Sequence, residues 1–366
     1  MLSTNNWRQK NAIEMLELMS PFLKQLPIVS TNDITYSSYV SCFTYEIRKQ
    51  YSVSGYPNLG KGFTNEEAKL SGLMESLEMC CIESLAPLEW YDESIKKLLD
   101  KPKKESNKVT INPTSLIGEG KMLSFEDIFF LKGSQQTNYN KKLTNGLASG
   151  QYLEDALVHS IYELIERHMI GSSIYTKLEN NEVSPLVQQF ISQLDDNGLK
   201  CSIYLRGIYA DTVTIEAHII DNSLKYMPKK VGAIGFGCSG DSEVAIARAI
   251  SEAFQSLSVA KSVNNKSYGL GTHLTDTSYG YFDELNKFYE ASIMLAKYIL
   301  KTDFNNNSME KQQILTFSHV HNCDELIREL KKEGINELNY LLITSKELPF
   351  VVTRCFINQL SNSYGI

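Results

Sequence analysis

Three stretches of this chain set chemically capable side chains at one spacing. Ser71, Glu75 and Glu78 are separated by three and then two intervening residues. The same holds for His159, Glu163 and Glu166, and for Arg248, Glu252 and Gln255. Steps of three and four residues place all members of a set on one side of a helix. In KLSGLMESLEMCC, Lys69 to Cys81, the residues Leu70, Leu73, Met74, Leu77 and Cys81 form an apolar stripe, with Ser71, Glu75 and Glu78 along its edge. Acids at the border of a buried face need a cation, a proton or hydrogen-bond donors. In the second set Glu163, Glu166 and Arg167 lie farther around from Leu157, Ile161 and Leu164, so pattern by itself also allows a solvated face. The functional arrangement brings Glu75, Glu78, Glu163 and Glu166 to one site with Arg167 and Arg248. Carboxylate oxygens are hard ligands suited to Mg²⁺, which usually retains phosphates and water as further partners.

The flanking sequence suggests how these sets are positioned. Each follows a glycine-rich stretch: Gly60-Lys61-Gly62, then Asn145-Gly146 with Ser149-Gly150, then the run from Gly235 to Gly240. Read as loops entering helices, these present backbone N–H groups suited to an anion such as phosphate, and Lys61 adds charge. Thr64 with Glu67 fits a capping box, and Asp241 fits an N-cap. Further helices are expected over 11–24, 282–300 and 323–332, with another opened by Ser184-Pro185 and ending before Gly198. Strands are expected over 38–47, 201–209, 212–220, 341–344 and 350–356. Pro87 and the Lys/Asp-rich residues 94–108 read as a surface excursion, and 132–142 as a polar segment. The sum is an α/β protein, mixed sheets with packed helices, forming a single domain over residues 1–366.

Composition narrows the function classes. A net charge of −7 argues against general nucleic-acid binding and against a polybasic membrane patch. No apolar run approaches the roughly 20 residues that span a bilayer, and Met1 to Lys10 lacks the apolar centre of a signal peptide. Seven scattered cysteines form no C-x2-C pair, which fits reduced thiols in a cytoplasm. His319 and His321 would share one face of a strand, a small set for a metal centre. No P-loop, kinase or dinucleotide-binding fingerprint occurs.

The segments GKGFTNEEAKLSGLMESLE, TNGLASGQYLEDALVHSIYELIER and GFGCSGDSEVAIARAISEAFQ together resemble the signature segments of the YcaO family. That resemblance implies a YcaO-type fold whose helices carry an ATP and Mg²⁺ site. It implies ATP-dependent activation of a peptide backbone amide in a ribosomally made precursor peptide. A Cys, Ser or Thr nucleophile then gives an azoline, sulfide a thioamide, and an amine an amidine. Cyclodehydration leads, with thioamide or amidine formation as the alternative. An idle relative serving as a peptide-binding accessory subunit is the alternative of another class, and such a copy would be expected to lose acids that all remain here. Carried over by position, Ser71, Glu75 and Glu78 match the first nucleotide motif. Gln151, Asp155, Glu163, Glu166 and Arg167 match the second, and Arg248, Glu252 and Gln255 the third; Arg167 and Arg248 are implied to act on the phosphoryl group. Met79 departs from a frequent Arg, and Ser239 from a frequent His. Arg8 is the candidate for an N-terminal basic residue on the nucleotide. Residues 361–366 lack a Pro-rich tail, and the length leaves no room for a fused leader-binding domain. A separate leader-peptide-binding partner is therefore expected, and a homodimer is allowed.

Overall fold

The computed structural model describes residues 11–50, 57–100, 110–120, 122–129, 144–171, 176–268, 279–301 and 317–360. The chain opens with α1 (Ala12–Leu23), β1 (Ile28–Asp33), β2 (Phe43–Lys49), β3 (Asn58–Gly62), α2 (Asn65–Ile82) and α3 (Glu93–Leu99). Short elements follow: β4 (Thr110–Ile111), β5 (Thr114–Ile117), β6 (Leu123–Ser124) and α4 (Phe125–Ile128). Next come β7 (Leu147–Gly150), α5 (Leu153–Ile170), β8 (Thr176–Leu178), α6 (Pro185–Asp196), β9 (Leu199–Tyr209), β10 (Thr212–Asp221) and β11 (Val231–Ser239). The last elements are α7 (Ser242–Tyr268), α8 (Tyr279–Lys301), α9 (Cys323–Lys332), β12 (Leu338–Leu342) and β13 (Val351–Phe356). The strands build sheets ordered β1-β2-β3, β11-β10-β9-β8 and β5-β12-β13-β7, with a small β4-β6 ladder. The pairings are antiparallel, and helices pack on the sheets, giving the expected α/β class.

The glycine-rich stretches differ from the loops expected. Gly60-Lys61-Gly62 belongs to β3, Ser149-Gly150 closes β7, and Gly235 to Ser239 belongs to β11. Each strand folds straight onto the helix that follows it. A Cβ on Gly60 would run into the Ala68 carbonyl oxygen and the Gly72 backbone of α2, and one on Gly235 into Ala249 and Ala253 of α7. Glycine is therefore used here for close strand-to-helix contact. The polar, glycine-bearing β3 carries little of the residue bias that marks a strand, so its pairing with β2 is a tertiary result.

Helix starts follow local chemistry. The Thr64 hydroxyl accepts from Glu67 N–H at 3.1 Å, while the Glu67 carboxylate reaches Phe63 N–H at 3.0 Å, one residue before the cap a full capping box would use. Asp241 Oδ1 accepts from Glu243 and Val244 N–H at 2.9 and 3.1 Å and starts α7. Ser184 caps α6 through Val187 N–H, with Pro185 at its first position. Residues 94–99 were expected on a surface excursion, but Asp92 caps α3, and Ile95 and Leu98 are buried. The spacing of those two apolar residues on a lysine-rich helix gives α3 its inner face. The rest of that stretch, residues 101–108, lies outside the described residues, as do 132–142, Arg8 and 361–366.

Three apolar clusters hold these units. Met15 and Met19 of α1 meet Leu70, Leu77 and Cys81 of α2. Ala245, Ala249 and Ala253 let α7 lie close on β9 to β11. Leu157, Ile161 and Ile165 of α5 join Leu326 and Leu330 of α9. The inner faces of α2, α5 and α7 are thereby fixed, and their remaining flanks converge.

Candidate functional site

Between those flanks lies a cavity of about 450 Å³. Lys61, Ser71, Glu75, Glu78, Glu163, Glu166, Arg167, Arg248, Glu252 and Gln255 all line it. Lys61 comes from β3, and the others come from α2, α5 and α7 beyond their first turns. The second acidic set is not a solvated face, because Glu166 is only 5% exposed and Glu163 points into the same space. Gln151 and Asp155 are placed elsewhere, at the start of α5. The Gln151 amide donates to the Tyr152 hydroxyl at 3.1 Å, and the Asp155 carboxylate accepts from Tyr152 N–H at 3.3 Å.

Side chains outside the acid and arginine sets complete the walls, Met74, Met79, Thr144, Leu147, Ser149 and Ser256, together with His159, which opens the second set. Ser149 Oγ donates to Glu78 Oε1 at 2.5 Å, tying β7 to α2. Asn58 Nδ2 donates to Glu75 Oε1 at 3.2 Å from β3. Both donors are distant in sequence from the acids they serve, so no motif links them. Met79, one of the departures from the family pattern, gives the cavity an apolar patch. Ser239, the other, is buried and accepts from Asp241 N–H at 3.1 Å.

Burial and the crowding of like charges dominate the electrostatics of these walls. Burial pushes Glu78 up to about 8, with the Glu75 and Glu163 charges adding to the rise and the Ser149 bond opposing it. Burial likewise lifts Glu163 to about 7, with Glu166 adding and Arg167 and Arg248 opposing. Glu75 and Glu166 are also raised, in each case mainly by burial. Glu75 is itself exposed, so solvent tempers that rise. Glu252 goes the other way. Burial would raise it, but Lys61, Arg167 and Arg248 together hold it below the usual carboxylate range. Its carboxylate meets Lys61 Nζ at 2.5 Å. Arg167 stands 3.8 Å from Glu163 and 3.9 Å from Glu166, too far for hydrogen bonds.

This donor set suits Mg²⁺ held together with a polyphosphate. Among the described residues no three carboxylate, imidazole or thiol groups are grouped closely enough to hold a metal unaided. Mg²⁺ needs only one or two carboxylates when phosphates and water supply the rest, and Lys61, Arg167 and Arg248 offer charge to those phosphates. No helix among the described residues is long and apolar enough to cross a membrane, and all seven cysteines are free thiols.

The chain is similar to several known proteins. Two uncharacterized proteins of Mycobacterium tuberculosis, from strains CDC 1551 and H37Rv, are 23% identical over 266 residues, covering 65% of this chain and 58% of theirs. The match thus spans little more than half the length of those relatives. Among solved structures, YcaO from Methanopyrus kandleri bound with AMPPCP and Mg²⁺ aligns at a TM-score of 0.63 and 18% identity, covering 99% of this chain and 95% of that one. A heterocyclase in complex with substrate and cofactor gives 0.63 at 14%, covering 99% and 54%. The Escherichia coli microcin synthetase McbBCD complex with pro-MccB17 bound gives 0.56 at 12%, covering 90% and 87%. At those identities the structures establish a shared fold. The model of the YcaO cyclodehydratase, ATP- and Mg²⁺-binding family matches residues 101–361. That match begins beyond α2, whose acids join the site through the fold. With well over half of its length matched, the chain belongs to the YcaO family.

Proposed function

We propose that this protein is an ATP-dependent enzyme that activates backbone amides of a ribosomally made precursor peptide, most directly for cyclodehydration of Cys, Ser or Thr to azolines. The observation that carries this reading is the convergence of Glu75, Glu78, Glu163 and Glu166 with Lys61, Arg167 and Arg248 on one cavity. An amide oxygen is a poor leaving group, and MgATP supplies the phosphoryl group that makes it a good one. Glu75, Glu78, Glu163 and Glu166 would hold Mg²⁺, with Ser149 and Asn58 fixing two of those carboxylates. Arg167, Arg248 and Lys61 would hold phosphate oxygens and stabilise charge that spreads during transfer. Ser71 and Gln255 offer polar atoms at the same walls, while Gln151 and Asp155 act through the start of α5. The apolar patch of Met74, Met79 and Leu147 excludes water from one side. Retention of all four acids supports an active enzyme over an idle accessory subunit. A precursor peptide and a separate leader-binding protein are the expected partners.

The deciding experiment incubates the protein with MgATP and the precursor peptide encoded nearest its gene, then reads peptide mass. Loss of about 18 Da, one water, is the outcome for an azoline, and gain of about 16 Da that for a thioamide. A peptide left unchanged while the protein binds it tightly would support the accessory role instead.

A further inference from the structure

His159 opens the second acidic set, and no step above uses its ring. It lines the cavity, and its Nε2 lies 3.3 Å from an Arg248 terminal nitrogen. A guanidinium donates and never accepts. Nε2 is therefore the acceptor, and the imidazole is the neutral tautomer with its proton on Nδ1. This contact spans two helices, α5 and α7, and it differs in kind from those of the other cavity cations. Lys61 is bound to the Glu252 carboxylate, and Arg167 faces Glu163 and Glu166. Those cations are partly offset by the acids beside them. A neutral ring can orient Arg248 without itself forming an ion pair with it.

We propose that His159 is a positioning residue that holds Arg248 as the cavity's receptor for the phosphates of a nucleoside triphosphate. The proposal rests on the nucleotide-site reading above and adds a residue to it. Long arginine side chains have many rotamers, and three carboxylates, Glu163, Glu166 and Glu252, lie within the field of Arg248. Released from the ring, the guanidinium would settle on one of them. That would misdirect the cation and remove a carboxylate needed elsewhere. The plain alternative is that His159 only fills space between α5 and α7.

Calorimetric titration of the full chain with AMPPCP and Mg²⁺, without peptide, separates these. His159→Phe, which keeps a planar ring and loses the acceptor, should weaken binding roughly tenfold, the scale of one charge-assisted hydrogen bond. His159→Gln, whose amide oxygen accepts, should recover most of that loss. In an Arg248→Met background His159→Phe should have no further effect. If the wild type binds and His159→Phe binds equally well, this proposal is overturned while the nucleotide-site reading stands. An affinity loss of the same size with and without Arg248 also overturns it, even should the Phe variant melt early. Failure of the wild type to bind overturns both.

Discussion

Glu78 keeps its proton to about pH 8 and Glu163 to about pH 7, both pushed up by burial from an ordinary 4.5. The folded protein therefore binds more protons than the unfolded chain over that range, and stability falls as pH rises through it. His168 and His321 are lowered from 6.5 by burial, so their opposing contribution is confined to more acid conditions. The ligand-free protein should accordingly melt at a lower temperature at pH 8.5 than at pH 7, and Mg²⁺ with nucleotide should remove the difference, because a cation takes the place of the protons. Flat melting temperatures across that interval would contradict the assignment. Metal sharing makes a second prediction. If Glu75 and Glu163 serve the same Mg²⁺–phosphate cluster, Glu75→Ala/Glu163→Ala should turn over peptide little worse than either single variant, since one loss already disables the site. Two independent surface acids would give small effects that add. At this scale the sequence was informative about acids and arginines, because helical spacing is local. Ser149 and Asn58 were not legible, since their bonds to Glu78 and Glu75 cross from other elements.

Three strand–helix units, β3–α2, β7–α5 and β11–α7, carry the site. The helices were legible from apolar periodicity and caps. The strands before them were not, because glycine reads locally as loop. Their extended form comes from sheet pairing, Phe43 opposite Gly62 and Val213 opposite Ser239 among others, and from close packing on the next helix. The cavity then sits on helix flanks, where opposing helices meet, and helix N-termini do not supply it. Gly60→Ala tests this use of glycine. The new methyl meets backbone of α2, which cannot swing aside as a side chain would. The variant should lose roughly 1–3 kcal/mol of stability, seen as a lowered melting temperature, with nucleotide affinity falling as α2 shifts. A variant as stable as the wild type, with weakened nucleotide binding alone, would instead restore the loop-like anion role first expected of Gly60-Lys61-Gly62.

Across the whole molecule, α2 lies against α1 in one apolar cluster, α7 against β9 to β11 in a second, and α5 against α9 in a third. The cavity is the place where these three bodies of core face one another, so its shape depends on all of them. We infer that residues 1–366 fold as one domain, and a single calorimetric unfolding transition is the expected result; two separated transitions would contradict it. Sequence pattern conveyed the α/β class, but it could not convey which helices meet, since that is set by strand order and long-range packing. The same meeting of helices is what the nucleotide-site reading depends on. Its most direct test is titration of the wild-type protein with ATP in the presence of Mg²⁺ and again in chelator. The carboxylates of α2 and α5 repel a bare polyphosphate and welcome one carrying a divalent cation. Tight binding with Mg²⁺ that collapses in chelator is the predicted result, whereas equal affinity under both conditions would contradict the account.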